Sequence, residues 1–135
     1  MRRMNVLFVA GFASIVRDVP SARSLYGDVL GLPLEGDEYP ATGALDGIKH
    51  FGLWPLSGAA QSCFGTDTWP DDLPVPHAAI EFEVDDVDGA AAELVAAGHA
   101  LVRDAADEPW GQRTARLLSE DGLLVGVVHT PWMHD

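Results

Sequence analysis

The sequence predicts an α+β domain in which one supersecondary unit, strand–helix–strand–strand–strand, is used twice. Three observations carry that prediction. VRDVPSARSLYGDVLGLPL from Val16 and VDDVDGAAAELVAAGHAL from Val84 share one pattern: an apolar strand, a V-x-D-V turn, and a helix closed by Gly31 or Gly98. TGALDGIKHFGL around Asp46 and RLLSEDGLLVGVV around Asp121 each read as two strands joined at an Asp-Gly turn, a strong short-range hairpin signal. Finally, 135 residues with 47% hydrophobic and 21% charged side chains make one ordinary globular domain. A lone module would leave one face of its sheet bare, so the two copies must pack together.

The elements follow in order. The apolar stretch from Val6 to Val16, behind Arg2 and Arg3, superficially resembles a secretory leader. It runs straight into Arg17 and Asp18 without a small-residue cleavage site and is too short to span a bilayer, so it reads as a buried strand. Pro20 suits the first turn of the helix that follows, and Gly31 and Gly98 suit left-handed helix ends. Asp18 and Asp86 stand where a carboxylate caps the first amides of a helix. Module one covers about residues 5–56 and module two about 77–131. Between them, SGAAQSCFGTDTWPDDLPVP (57–76) opens as a short helix and ends as a Pro-rich linker. From His77 to Val84 the chain alternates, placing His77, Ala79, Glu81 and Glu83 on one face and Ile80, Phe82 and Val84 on the helix side.

The charge balance limits the partners. Eight Lys and Arg against 21 Asp and Glu give a net charge of −13, which repels nucleic acid and anionic lipid and would draw in a cationic ligand, although such a surface is more often only a solubility device. One cysteine, Cys63, excludes an internal disulfide and fits a reducing cytoplasmic setting. It reads as a buried, inert thiol. No GxGxxG, phosphate loop or Ser-His-Asp pattern occurs.

SLYGDVLGL in the first helix, IEFEVDDV at the start of module two and PWGQRTARLLSEDGLLV near the end resemble the vicinal oxygen chelate superfamily. That group holds glyoxalase I, extradiol dioxygenases, fosfomycin-resistance enzymes and bleomycin-binding resistance proteins. The resemblance runs from about Val6 to Thr130 and implies curved mixed sheets around a central pocket, with helices outside. Its metal enzymes bind a divalent ion through His, Gln or Glu on pocket-facing strand positions, and the ion stabilises charge on substrate oxygens.

Matched to that pattern, this chain lacks the ligands. The first ligand lies seven residues before the turn aspartate, which gives Gly11 and Ala79; the carboxylate lies four residues after the hairpin glycine, which gives Phe51 after Gly47 and Gly126 after Gly122. None of these side chains ligates a metal, so no metal cofactor is expected. His50, His77 and Glu81 are the fallback ligand set, with His50 facing the pocket only if the first hairpin carries an extra residue. His99, His129 and His134 read as surface or strand-edge histidines, with no spacing that pairs them.

The pocket is expected to be lined by Gly11, Phe51, Trp54, His77, Glu81, Trp110 and Gly126, the glycines leaving room for a bulky guest. Trp54, Trp69 and Trp110 come from three segments near the rims, and PWGQR at 109–113 is similar to a groove-side W-G segment of bleomycin-binding relatives; tryptophans also serve as core or interface packing. Arg113 and Arg116 are candidates to pair with Glu81 and Glu83 or to bind a substrate carboxylate. The resemblance thus implies a metal-independent protein, a homodimer by analogy, that binds an aromatic or cationic small molecule. The alternatives are a metal-dependent lyase, isomerase or dioxygenase on displaced ligands, and an acid–base reaction run by His77, His50 and Glu81.

Overall fold

Strand β1 (Val6–Val16) is an interior strand of a seven-stranded mixed sheet and joins the two modules. In the computed structural model, which describes residues 4–134, the strand order is β2-β3-β1-β4-β7-β6-β5. The remaining strands are β2 (Ala41–Thr42), β3 (Phe51–Pro55), β4 (Ala78–Val84), β5 (Leu101–Asp107), β6 (Arg113–Leu118) and β7 (Leu123–His129). Within each module the first and last strands run parallel, β1 with β3 and β4 with β7. The modules meet through antiparallel pairing of β1 with β4, Gly11 opposite Glu81, so both halves of the sheet come from one chain. Arg2 and Arg3 lie outside the described residues.

Helix α1 (Val19–Arg23) continues into a π-helical turn, Ser24–Val29, before Gly31 leaves at φ 75°. Helix α3 (Val87–Ala96) is the counterpart in module two and ends at Gly98, φ 98°. The Asp18 carboxylate accepts from the Ser21 amide at 3.3 Å and the Asp86 carboxylate from the Gly89 amide at 3.0 Å, so both aspartates cap their helices. The opening of the inter-module segment is helix α2 (Leu56–Phe64). It lays Ala59, Ala60 and Cys63 onto Ala13, Ala79 and Leu124 and closes one end of the sheet's concave face. Across the sheet, Val84, Ala115 and Val127 pack under Val87, Ala90 and Ala91 of α3. No described helix is long and apolar enough to cross a membrane.

Two expectations change. The first Asp-Gly turn does not close a tight hairpin: β2 pairs with β3 only at Ala41–Gly52 and Thr42–Phe51, leaving residues 43–50 as a loop. The strand expected after the first helix shrinks to one bridge, Glu35 with Ala41. The LPLEGDEYP stretch carries two prolines and no alternation, so nothing in it sustains a ladder. Second, β1 is buried only over its later part, since Val6, Leu7 and Val9 are exposed.

Cys63 is buried, and burial pushes its thiol up to about 11, so it stays protonated. Trp69 is core rather than rim: its ring meets Phe64 edge-on at 5.1 Å and its indole N–H donates to the Pro74 carbonyl at 3.1 Å. Leu124 is fully buried between α2 and the sheet. Leu124→Ala is expected to lower unfolding free energy by about 2–5 kcal/mol in urea titration; a loss below about 1 kcal/mol would show that the site collapses around the gap.

Candidate functional site

Period-two alternation brings the site together from three strands. On β6 and the residue before it, Gln112, Thr114 and Arg116 share the concave face, while Arg113 and Ala115 face α3. On β4, Ala79, Glu81 and Glu83 share that face and Val84 packs on the helix. The Arg116 guanidinium donates through Nη2 to Glu81 Oε2 at 2.7 Å, and the Gln112 amide donates to Glu81 Oε1 at 3.2 Å and to the Thr130 hydroxyl at 2.8 Å. The Trp110 indole N–H donates to Gln112 Oε1 at 2.9 Å. Trp54 lies against the guanidinium, 5.0 Å from ring centroid to Cζ.

Above this floor opens a cavity of about 480 Å³, within the ordinary range for small-molecule sites. Tyr39, His50, Trp54, Trp110, Trp132 and Met133 form its walls. Both members of the ion pair line the cavity; the Glu81 side chain is 18% exposed and that of Arg116 1%, so the carboxylate is the more accessible pole. Burial alone would pull the guanidinium down, but Glu81's charge and hydrogen bond outweigh it and keep Arg116 ionised. His50 Nε2 and the Tyr39 hydroxyl are 3.0 Å apart. Burial lowers the His50 pKa, the Glu81 charge opposing it only in part, so His50 is neutral at neutral pH. Burial, and then Glu81, push the Tyr39 phenol well above its ordinary range.

The cavity gathers Gly11, Trp54, Glu81 and Trp110 of the expected residues, and His50 of the fallback set. Gly126 lies in the floor, but its missing side chain makes room for the protein rather than a guest: a Cβ there would stand 3.1 Å from Arg116 Nη1. Gly11 likewise admits His50, whose carbonyl oxygen would be 3.2 Å from a Cβ. Phe51 turns to the other face, stacked on Phe12 at 6.1 Å and against Tyr26 at 5.7 Å. The loop before β3 shifts the register by one residue, which exchanges the faces of His50 and Phe51. His77 precedes β4, is exposed, and lies beside Gly122 rather than in the cavity. Arg113 is committed outward to Asp88 and Asp107 at 2.8 and 3.0 Å.

The sequence reading missed Tyr39, Gln112, Trp132 and Met133. Gln112 was recoverable by counting in twos from Arg116; Trp132 and Met133 reach the cavity only because the tail folds back in a 3₁₀ turn, Pro131–Met133, which no local pattern announces.

A family model, Glyoxalase/Bleomycin resistance protein/Dioxygenase superfamily, matches residues 9–127. The chain belongs to this superfamily. Solved structures agree on the fold. Methylmalonyl-CoA epimerase from Mycobacterium tuberculosis superposes with a TM-score of 0.62 at 18% identity, covering 98% of this chain and 95% of that one. A superfamily member from Vibrio splendidus 12B01 gives 0.57 at 16%, covering 93% and 98%. A Streptomyces coelicolor methylmalonyl-CoA epimerase variant in complex with 2-nitronate-propionyl-CoA gives 0.59 at 16%, covering 97% and 99%. Curated protein sequences give no significant match.

The superfamily implies a divalent ion in the pocket, and the residues here do not fit one. Gly11, Ala79 and Gly126 offer no donor, His77 lies outside, and Glu81 is already held by Arg116 and Gln112. Among the described residues no three His, Cys, Asp or Glu donors converge in the cavity.

Two outcomes follow. Glu81→Leu leaves Arg116 buried without its counter-charge and is expected to cost about 3–5 kcal/mol, most of it recovered in Glu81→Leu/Arg116→Met; chemical denaturation of the four-member cycle measures the coupling. For His50, the native value lies below its ordinary 6.5. Its contribution to stability is therefore complete above about 6.5 and is lost as pH falls, because the unfolded chain takes the proton first. The stability difference between wild type and His50→Gln should shrink as pH drops below that point; a difference independent of pH would mean that His50 is solvated.

Proposed function

We propose that the protein binds a planar aromatic cation in this cavity and that binding involves no metal ion. The observation that carries the reading is the asymmetry of the ion pair in the cavity lining: the Glu81 side chain is the more accessible of the two, and Arg116 is almost wholly buried. Around that acceptor stand Trp54, Trp110 and Trp132, faces on which a flat cation stacks. The chain's net charge of −13 attracts the same ligands from solution.

Titrating tryptophan fluorescence with proflavine, a flat cation, and with 2-naphthalenesulfonate, a flat anion, tests it. Proflavine should quench with a dissociation constant on the order of micromolar, and Glu81→Gln should weaken it by about tenfold, or 1.4 kcal/mol. Equal affinity for both probes, or quenching unchanged in Glu81→Gln, would remove the carboxylate from recognition.

A second reading rests on neutral His50, which faces the same cavity as Glu81 and is hydrogen-bonded to Tyr39. That arrangement supplies a base for abstracting a proton next to a carbonyl, the reaction type named by the epimerase neighbours. Solvent-deuterium exchange into methylmalonyl-CoA, lost in His50→Gln, would replace the binding reading with this one.

A further inference from the structure

Glu83, His129 and His134 come from three separate segments: the end of β4, the end of β7 and the tail after the 3₁₀ turn. One ligating atom from each lies within 4.8 Å of the other two. The imidazole rings of His129 and His134 stack at 4.8 Å, and Phe8 packs on His134 at 5.9 Å. His134 Nε2 is 2.6 Å from Glu83 Oε2, and His129 Nδ1 is 3.7 Å from the same oxygen. None of these residues lines the cavity.

We propose that Glu83, His129 and His134 form a binding site for a divalent transition metal of the zinc class, separate from the pocket. The Glu83 side chain is fully buried, and its Oε1 has no hydrogen-bond partner among the described residues. A buried carboxylate with one oxygen unpartnered costs free energy, which a cation held between Oε2 and the two imidazoles would offset by neutralising its charge. Glu83 Oε2 accepts from the Thr130 amide at 2.6 Å, a main-chain contact that fixes the carboxylate's direction, as outer-shell donors do at metal centres.

A shared proton accounts for only part of this arrangement. A hydrogen bond from His134 accounts for the 2.6 Å contact with Glu83, while His129 Nδ1, 3.7 Å from the same oxygen, has only a long 3.4 Å contact with the Val84 carbonyl, which coordination would replace. If both rings were charged they would repel across their stack; a single dication takes a lone pair from each neutral ring instead. Tetrahedral coordination at about 2.0–2.1 Å separates ligand atoms by roughly 3.4 Å, so the present spacings need adjustments of about an ångström. Two imidazoles with one carboxylate suit zinc, nickel or cobalt and not calcium or magnesium. The histidine side chains are 41% and 32% exposed, which gives an ion entry from solvent and leaves coordination positions to water.

The site has a structural consequence. Pro131, Trp132 and Met133 lie between the two histidines, and Trp132 and Met133 wall the cavity. An ion joining His129 and His134 to β4 would therefore fix that wall against the sheet.

Isothermal titration of the chelator-treated full chain with ZnCl2 and NiCl2, with MgCl2 as control, reads the site directly. The expected result is one zinc per chain, a raised melting temperature and no magnesium uptake. His129→Ala and His134→Ala should each weaken zinc by at least about tenfold, as losing one of three ligands requires. Both side chains are partly exposed, and a cooperative melt of each variant without zinc shows that it is folded. Zinc should also change tryptophan emission in wild type and not in Trp132→Phe. No uptake, or uptake that survives both histidine replacements and disappears in His77→Ala or His50→Ala, would overturn the site. The cavity variant Glu81→Gln should bind zinc normally, which separates this result from the proflavine titration.

Discussion

A guanidinium does not give up its proton at any pH the fold survives, so burying Arg116 obliges its surroundings to answer a charge. Glu81 supplies the counter-charge from β4, two strands away in the same module, Trp54 supplies a π face, and Gly126 on the intervening β7 supplies the space. Gln112 takes the second carboxylate oxygen and passes the network on to Thr130, whose amide meets Glu83. One buried cation thereby ties β4, β6, β7, the tail and the Trp110 segment together.

The same residues fill the concave centre with a fixed organic cation and its counter-ion. Glycines at the expected ligand positions are what allow the replacement, since a Cβ at either one would crowd the floor. The absence of ligands at these positions in the sequence and the presence of Arg116 in the structure describe one substitution, seen first as a gap and then as what fills it.

How far the sequence could be read depended on whether a feature was local. Alternation along 77–84 placed Ala79, Glu81, Glu83 and Val84 on their faces, and the Asp18 and Asp86 caps are fixed by residues within one turn. The duplicated order followed from motifs that repeat at matching places. The exchange of His50 and Phe51 was not legible, because it depends on how many residues the 43–50 loop takes from the ladder, and one residue reverses every face. The pairing of His129 with His134 was hidden for another reason. Five residues apart in an extended-then-turned segment, they meet only when the tail folds back over Glu83, a long-range event with no local signature.

The two modules also differ in how firmly they hold their outer strands. In module two, β5 is a full strand that pairs with β6 from Leu101 to Asp107, whereas in module one β2 has only two residues and one bridge beyond them. Backbone that is poorly paired opens locally at small cost, without unfolding the rest. The cavity thus has one stiff jaw, carrying Gln112 and Arg116, and one compliant jaw, carrying Tyr39 and His50. Any widening of the cavity would therefore come from the compliant side, while the charged floor stays in place.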